Sequence, residues 1–299
     1  MKPVIQLDHV TKQYKDKVAV NDLSLSIEEG SVVALLGPNG AGKTTTVSMT
    51  LGLQQATSGT IRLLGGSPQD RRVKDRLGAM LQDVHAIDGL KVGETIELFR
   101  HYYSKPLPLN HLLKVSGLEE EKDKMATALS GGQKRRLNFA LALAGDPSIL
   151  FLDEPTVGMD VTSRQLFWET VRAMAAQGRT VILTTHYLEE ADAIADRVVV
   201  IDKGKLRADG TPAEIKASTN GRTLSFTAGP RVTQEMIWSL PGVTDAVWNG
   251  RRVKLWSGDT DRLIYAIIQN GLDVKDIEIQ SGGLEEAFQT LVQHPSSHA

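Results

Sequence analysis

The 299-residue chain contains no cysteine. That absence excludes disulfides, thiolate nucleophiles, cysteine-based zinc sites and iron–sulfur clusters. Neither sign of charge is in excess, since 34 Lys and Arg oppose 36 Asp and Glu, for a formal net charge of −2. Because neutralising nucleic-acid phosphates requires a basic excess, the composition argues against a general nucleic-acid-binding protein. We therefore expect no nucleic-acid partner.

Long hydrophobic runs are also missing. The longest candidates, SILFL at 148–152 and RVVVI at 197–201, have the length of strands, whereas a membrane-spanning helix needs about 18 or more apolar residues. The N-terminal sequence MKPVIQLDHV has no apolar stretch typical of a signal peptide. The sequence therefore predicts a soluble protein of the cytoplasm.

The first two thirds of the chain alternate apolar strands with helical patterns. The segments SVVALLG, SILFLDEP, TVILTTH and VVVID are apolar without alternation, and helical segments separate them. Strands that are apolar on both faces indicate a parallel sheet covered on two sides. The periodicity is mostly helical over 83–145. We predict an α/β domain over residues 1–218, with a mixed or parallel sheet and a helical subdomain at about 83–145.

The amino-acid composition changes around residues 212–222, where Ser, Thr, Asn and Gly accumulate. Three of the four tryptophans lie beyond this point. The predicted order β-α-β-β-α-β indicates a small α+β domain over 219–299 and favours a ferredoxin-like topology. Its last helix carries an apolar stripe, suited to packing on a sheet or on a neighbouring subunit, made of Leu284, Ala287, Phe288 and Leu291.

A phosphate-binding loop follows the strand SVVALLG. The pattern GxxxxGK[ST] is matched between a strand and a helix by Gly37, Pro38, Asn39, Gly40, Ala41, Gly42, Lys43 and Thr44. Glycines let backbone N–H groups converge on phosphate oxygens, and the helix N-terminus adds its positive dipole end. Lys43 is expected to reach the β- and γ-phosphates and Thr44 to bind Mg²⁺. We include the next residue, Thr45, in the predicted nucleotide site.

Two acidic residues end the buried strand SILFL. Asp153 and Glu154 are thereby delivered to the carboxyl edge of the sheet, beside the phosphate loop. We expect Asp153 to hold Mg²⁺, directly or through water. Glu154 is placed to orient or deprotonate the attacking water as general base. A plain loop-starting role for Asp-Glu-Pro becomes improbable once the phosphate loop is taken into account.

A second set of anion-binding groups lies about ninety residues after the first. Leu129 is followed by Ser130, Gly131, Gly132 and Gln133 at the start of a predicted helix. This run resembles the LSGGQ signature of the ATP-binding subunits of ABC transporters, and the resemblance covers roughly residues 4–215, with the short motifs in the family's order. It implies a P-loop ATPase core and an ATP hydrolase that uses ATP and Mg²⁺.

The resemblance assigns further roles residue by residue. Tyr14 matches the aromatic residue that stacks on adenine, and Gln82 matches the glutamine that senses Mg²⁺ and the attacking water and contacts the membrane partner. Asp160 matches the aspartate that communicates across the dimer. His186, in TTHYLEEAD, matches the switch histidine at the γ-phosphate. Outside that context each of these residue types is more often a packing or surface residue.

The family resemblance also implies partners. Two nucleotide domains of the family pair head to tail, so that each signature loop closes on the γ-phosphate bound by the other. Because this chain has one copy of each motif, it requires a second copy of itself or a homologous ATPase subunit. The pore would be a separate polytopic membrane subunit, which would hold this chain peripherally at the inner face of the cell membrane.

Two segments imply the branch of the transporter family to which the chain belongs. TTHYLEEAD and GGLEEAFQTLV resemble the exporter branch, whose substrates include drugs, antibiotics and lipids. The alternatives are an ABC importer ATPase and a non-transport ABC ATPase, although the chain has neither a second cassette nor coiled-coil heptads. The C-terminal domain is expected either to sense a ligand or to stabilise the dimer.

Overall fold

The computed structural model of the chain describes residues 3–81, 88–218, 222–281 and 283–293. The chain forms two compact units, Met1–Thr211 and Pro212–Ala299. In the described part, the strands of the first unit are β1 (Pro3–Tyr14), β2 (Lys17–Glu28), β3 (Val32–Leu36), β4 (Ser58–Leu63), β5 (Leu77–Met80), β6 (Ile149–Asp153), β7 (Thr180–Thr184), β8 (Arg197–Asp202) and β9 (Lys205–Gly210). Its helices are α1 (Lys43–Thr50), α2 (Arg71–Lys74), α3 (Val92–Arg100), α4 (Leu109–Ser116), α5 (Gly131–Leu143), α6 (Val161–Ala176) and α7 (Leu188–Ile194), with a 3₁₀ turn at Ala126–Ala128.

A mixed sheet forms the centre of the first unit. Within the described residues its strand order is β5-β6-β7-β3-β8-β9, and every neighbouring pair is parallel except β8 and β9. Strands β3, β6 and β7 are buried along their whole length, as expected for strands that are covered on both faces. This confirms the predicted sheet and brings the carboxyl ends of β3, β6 and β7 to one edge.

A second, antiparallel sheet has the order β2-β1-β4 in the described chain. The burial of β2 alternates toward its end, which is typical of a strand with one solvated face. Its buried side chains join those of the central sheet in one core that includes Ile5, Leu25, Leu35 and Phe151. The core fixes the β1–β2 hairpin close to the phosphate loop.

Two strands of the central sheet carry little signal in the sequence. Strand β5 is short and lacks β-branched residues, yet it pairs with β6. Gly78 in β5 is required by close packing, because a Cβ there would lie 2.1 Å from the carbonyl oxygen of Ala142 on α5. Strand β9 is largely polar and none of its residues is buried, as is possible for an edge strand.

Helices α3, α4 and α5 contact one another and form the helical subdomain that the sequence predicts. The start of α3 is held by backbone hydrogen bonds from Val92 to Lys124 and from Gly93 to Lys122, each 2.9 Å long. None of the helices in the described ranges combines the length and the hydropathy that crossing a bilayer requires.

The second unit has helices and strands α8 (Pro212–Ser218), β10 (Arg222–Ala228), α9 (Gln234–Trp238), β11 (Val243–Asn249), β12 (Arg252–Ser257), α10 (Thr260–Gln269), β13 (Val274–Ser281) and α11 (Leu284–Gln293). The described strands form an antiparallel sheet of order β11-β12-β10-β13. With α9 and α10 at the predicted places in the chain, the order β-α-β-β-α-β is that of a ferredoxin-like layer. Phe226, Leu255 and Leu263 lie in its core.

Helix α8 belongs to this second unit, although the predicted domain boundary at residue 218 would place it in the first. It contacts α11, and Ile215 of α8 is buried, as are Leu284 and Ala287 of α11. Part of the predicted apolar stripe of α11 is therefore buried inside the unit. The Lys254 ammonium, 2.8 Å from Glu286 Oε1, links α11 to β12.

Candidate active site

The phosphate loop lies between the end of β3 and the start of α1, where the sequence predicts it. Two of its glycines are required by space. A Cβ on Gly37 would lie 2.2 Å from the carbonyl oxygen of Ile201, and one on Gly42 would lie 2.4 Å from that of Ala19. Gly42 also has φ 106°, in the left-handed region that favours glycine. The loop is thus tightly enclosed by β8 and β2.

The loop offers a row of backbone donors. The N–H of Ala41 donates to the Pro38 carbonyl at 3.1 Å. In contrast, no described backbone carbonyl accepts from five other N–H groups at the loop end and the first turn of α1, those of Gly40, Gly42, Lys43, Thr44 and Thr45. Donors of this kind, at the positive end of a helix dipole, form an anion-binding site.

Lys43 lies inside this loop and is only 9% exposed. Its ammonium donates to the carbonyl oxygens of Gly37 at 2.6 Å and Pro38 at 3.1 Å. Burial lowers the pKa of Lys43, while the charges of Glu154 and Asp153 oppose that shift. The lysine is therefore a positive charge held within the loop and close to the two carboxylates.

A cleft of about 310 Å³ opens over the loop. It brings together most of the predicted nucleotide-binding residues, and its lining consists of Tyr14, Lys17, Ala19, Asn39, Gly40, Ala41, Gly42, Lys43, Thr44, Thr45, Asp153, Glu154 and His186. The loop residues Gly37 and Pro38 are not part of this lining; they are the acceptors that hold the Lys43 ammonium. Lys17 and Ala19 of the β1–β2 hairpin are additions that no sequence motif marked.

Asp153 and Glu154 enter the cleft from the end of β6. Asp153 pairs with Thr184 in the parallel ladder, and the Thr184 hydroxyl donates to Asp153 Oδ1. Glu154 follows in the left-handed region, with φ 50°, a backbone conformation that is uncommon outside glycine and clusters at functional sites. Both side chains are buried, so the turn aims a buried carboxylate into the cleft.

His186 approaches the same carboxylate from the end of β7. Its Nε2 lies 3.2 Å from Glu154 Oε1, and its backbone N–H donates to Glu154 Oε2 at 3.3 Å. Burial raises the pKa of Glu154; the charge of His186 and its N–H lower it in part. The structure thus places a buried glutamate with a raised pKa next to an exposed imidazole.

Tyr14 lines the cleft at the end of β1 and is 42% exposed. Its hydroxyl donates to Gln54 Oε1, and the Lys12 ammonium lies 5.0 Å from its ring centroid. These two contacts orient the ring while leaving part of it open to a planar ligand. The arrangement is compatible with the predicted adenine contact.

The signature residues form a separate feature at the start of α5. Ser130 caps the helix, because its Oγ accepts from the Gln133 N–H at 3.3 Å and the Ser130 N–H donates to Gln133 Oε1 at 2.9 Å. Gly131 is exposed, and a Cβ on Gly132 would lie 3.5 Å from the Gly158 carbonyl oxygen. The signature start is thereby next to the loop that leads to Asp160.

Asp160 caps α6 by accepting from the Ser163 N–H at 2.8 Å and the Ser163 hydroxyl at 2.7 Å. These hydrogen bonds lower the pKa of Asp160. Among the described residues, neither Asp160 nor Ser130–Gln133 lines the phosphate-loop cleft of the same chain. Gln82 lies outside the described residues.

The donor set at the cleft fits a magnesium ion. Thr44 offers a hydroxyl and Asp153 a carboxylate, and Mg²⁺ favours such oxygen ligands together with substrate phosphates. The described residues contain no group of three or more His, Asp or Glu side chains placed to hold a metal.

The sequence model of the ABC transporter family matches residues 20–157. Two relatives, each named Nod factor export ATP-binding protein I, are 40% identical: the protein of Burkholderia lata over 237 residues, 76% of this chain and 78% of the relative, and that of Paraburkholderia xenovorans over 234 residues, 76% and 77%. The chain belongs to the ATP-binding subunits of ABC transporters. It is accordingly an ATP-binding protein and an ATP hydrolase.

Solved structures of ABC ATPases share its fold. The dimeric cassette MJ0796, in a post-hydrolysis state bound to ADP and Pi, is 26% identical with a TM-score of 0.64 and covers 69% of this chain and 98% of its own. An ATP-bound bacterial Atm1-family ABC exporter is 27% identical, with a TM-score of 0.64 over 72% of this chain and 39% of its own. A further family model, described as AAA domain, putative AbiEii toxin, Type IV TA system, matches residues 124–192.

One glycine outside the sequence motifs supports the phosphate loop. Gly204, in the turn between β8 and β9, donates its N–H to the Ala41 carbonyl at 2.8 Å and accepts from the Asn21 N–H at 2.9 Å. It has φ 76°, and a Cβ would come within 3.0 Å of three backbone atoms of Ala19, Val20 and Asn21. The dipeptide Lys203-Gly204 before a polar strand is a turn signal that could have indicated it.

Proposed function

We propose that this ABC ATPase is the motor of an exporter: it binds ATP with Mg²⁺, pairs with a second ATPase subunit and drives a separate membrane subunit at the inner face of the cell membrane. The observation that carries the proposal is the buried Glu154 carboxylate, which lines the phosphate-loop cleft beside Lys43 and His186. Export is supported by the names of the relatives, which are Nod factor export ATP-binding proteins.

The chemistry proposed for the cleft is transfer of the γ-phosphoryl group to water. Positioning and countercharge dominate such reactions. The free N–H groups of the loop and the Lys43 ammonium bind the phosphates, and Glu154 accepts the proton of the attacking water. Thr44 and Asp153, with Gln82 outside the described residues, would hold Mg²⁺, which supplies countercharge to the phosphates. His186 orients Glu154 and contacts the γ-phosphate.

The second subunit is required because the cleft is incomplete in one chain. The Ser130–Gly132 amides begin a helix at another part of the described surface and do not line the cleft. In a head-to-tail pair, these amides would close on the nucleotide held by the other subunit. The pair consists of two copies of this chain or of this chain and a homologous ATPase. The dimeric structure of the cassette MJ0796 supports the pairing of two such subunits.

The variant Glu154→Gln tests both hydrolysis and pairing. It keeps the shape of the side chain but removes the base, so we expect ATP binding to persist, turnover to fall by about 100-fold or more, and an ATP-bound dimer to accumulate. Sedimentation in saturating ATP and Mg²⁺ measures the dimer, with ADP as the control nucleotide. A variant that remains monomeric in ATP would contradict pairing of the chain with itself.

Transport is tested by affinity purification of the tagged chain from its own cells in mild detergent. We expect a polytopic membrane protein to be recovered with it. Recovery of that protein must depend on the intact chain and be absent from a mock purification. A soluble protein or ribosomes in its place would contradict the transport role while leaving the ATPase chemistry intact.

A further inference from the structure

A buried acidic residue on α7 connects the segments that carry the proposed catalytic groups. Glu190 is 8% exposed, and the family resemblance of TTHYLEEAD assigns no role to it. Its carboxylate accepts from the Thr156 hydroxyl, with Oε1 at 3.0 Å and Oε2 at 2.9 Å. The Thr185 hydroxyl lies 3.3 Å from Oε2, and Arg164 Nε lies 3.3 Å from Oε1. One carboxylate thus contacts the loop after β6, the first turn of α6 and the residue that follows β7.

Each of these partners adjoins a residue of the proposed mechanism. Thr156 follows Glu154 by two positions, and Thr185 directly precedes His186. Arg164 lies in the first turn of α6, and its backbone N–H donates to the carbonyl of the cap residue Asp160 at 3.0 Å. Glu190 therefore contacts the neighbours of the base, of the switch histidine and of the aspartate proposed to communicate across the dimer.

The position of Glu190 matters because the sheet no longer holds these segments. The ladder between β6 and β7 ends at the pair Asp153 and Thr184. Beyond it, one backbone hydrogen bond of 3.2 Å joins the Glu154 N–H to the Thr184 carbonyl. Further hydrogen bonds must fix the separation of Glu154 and His186, and those at Glu190 are charge-assisted, which makes them stronger than neutral ones.

The hydroxyl partners of Glu190 are buried, and one of them makes a further hydrogen bond. Thr156 and Thr185 are 1% and 3% exposed, and the Thr185 Oγ1 also accepts the Tyr187 N–H at 3.0 Å. The guanidinium of Arg164 lies 5.0 Å from the centroid of the Tyr187 ring, so the arginine contacts both α7 and the residue after His186. Removing the carboxylate would leave buried hydroxyls without their acceptor, which costs free energy.

We propose that Glu190 is a positioning residue for ATP hydrolysis, which holds the loops after β6 and β7 so that Glu154 and His186 keep their mutual geometry. The inference rests on the roles proposed above for those two residues. It assigns Glu190 no contact with nucleotide or water. Its loss is expected to reduce turnover much more than ATP binding, because the phosphate loop is untouched and displacement of a reacting group by about 1 Å can cost up to about 100-fold in rate.

The first test compares Glu190→Gln with Glu189→Gln in the full-length protein. Glu189 is the exposed neighbour on the same helix, so its variant controls for charge at the start of α7. We expect Glu190→Gln to lower kcat by about 10-fold or more, with the Kd for ATP within about twofold of the parent and no change for Glu189→Gln. A kcat within about twofold of the parent, or a Kd that rises as kcat falls, would overturn the inference.

A second pair of variants keeps the test valid if Glu190→Gln folds poorly. Thr156→Ser retains the hydroxyl that donates a hydrogen bond to Glu190. Thr156→Val keeps the branched shape of the side chain but removes the hydroxyl. We expect the serine variant to turn over like the parent and the valine variant to lose turnover at unchanged ATP affinity. Equal loss in both variants would indicate packing alone and overturn the inference, as would equal retention.

Coupling to His186 separates positioning from general stability. In a His186→Ala background, the loss caused by Glu190→Gln in single-turnover assays is expected to be smaller than in the parent, since residues that act together are not additive. Multiplicative losses would overturn the inference. If Glu154→Gln and His186→Ala themselves retain full turnover, the proposed function fails; if they lose it while Glu190→Gln does not, only this inference fails.

Discussion

Glu154 Oε1 and His186 Nε2 are 3.2 Å apart, with the carboxylate buried and the imidazole 56% exposed. The two residues follow the ends of neighbouring parallel strands, β6 and β7, so the sheet brings the two loops that carry them to one edge. Burial raises the pKa of Glu154, and the charge of His186 lowers it in part. The ionisation of the base therefore depends on the imidazole.

This dependence predicts a pH effect on hydrolysis. Glu154 must be ionised to accept a proton, so turnover falls as the pH drops through its pKa, which lies above the ordinary 4.5. In His186→Ala the charge of the imidazole is lost while the backbone N–H remains. We therefore expect the acidic limb of the rate profile to move to higher pH.

The measurement is kcat as a function of pH for the parent, His186→Ala and the control His111→Ala, whose side chain is exposed on α4. The control should reproduce the parent profile. An acidic limb of His186→Ala that stays in place or moves to lower pH would show that the imidazole does not assist ionisation of Glu154.

A site shared between two chains predicts complementation. Lys43→Ala removes the phosphate-loop charge. Gly131→Asp places a negative side chain at the signature, and the fold tolerates it because a Cβ there meets no atom within 4 Å. In a heterodimer of the two variants, one site has both defects and the other has none. Random pairing of equal amounts should therefore restore about a quarter of the parent turnover.

The measurement is ATPase activity of each variant alone and of the 1:1 mixture. Each variant alone is expected to be inactive, and Gly131→Asp should retain ATP binding because the acidic residue lies outside its own cleft. A mixture no more active than its components would contradict the shared site, as would full activity of Gly131→Asp alone.

Much of this site can be predicted from sequence because its motifs are contiguous. The eight residues from Gly37 to Thr44 determine a local backbone shape, and Ser130 and Gln133 form a capping box within one helical turn. Asp153 and Glu154 are predictable because a buried parallel strand must deliver its last residues to the sheet edge. These inferences require no knowledge of long-range packing.

Other features depend on tertiary contacts that local patterns do not encode. Glu190 and Thr156 meet only because α7 folds back over the loop after β6, and both residue types are common on surfaces. Strand β5 is not predictable from its residues, because glycine has a low propensity for strands. Gly78 is needed there to let α5 approach closely. Helix α8 was assigned by its position in the chain, whereas its packing on α11 places it in the second unit.

A substitution at Gly204, which lies outside the sequence motifs, is expected to weaken nucleotide binding. Gly204→Ala would bring a Cβ to 2.8 Å from the Ala19 carbonyl oxygen and displace the turn that hydrogen-bonds the phosphate loop at Ala41. We expect ATP affinity to fall by about 10-fold, equivalent to about 1.4 kcal/mol.

Gly178→Ala is the matched control. Gly178 has a similar φ of 89°, but a Cβ there meets nothing within 4 Å, so the substitution has only the conformational cost of about 1 kcal/mol in stability. Titration of ATP against both proteins measures the difference. Equal affinities for the two variants would show that the turn does not support the loop.

The buried side chain at the start of α11 is expected to stabilise the second unit. Leu284 is 2% exposed, and its helix packs on α8. Leu284→Ala is expected to lower the free energy of unfolding of this unit by about 2–5 kcal/mol, because truncation removes apolar contacts and leaves a cavity. Glu285→Ala, at the exposed next position, should change it by less than about 0.5 kcal/mol. Urea unfolding followed by tryptophan fluorescence measures both, since Trp238, Trp248 and Trp256 all lie in this unit. A Leu284→Ala transition that matches the control would mean that α11 contributes little to the unit, and the stripe would then be available to a neighbouring subunit.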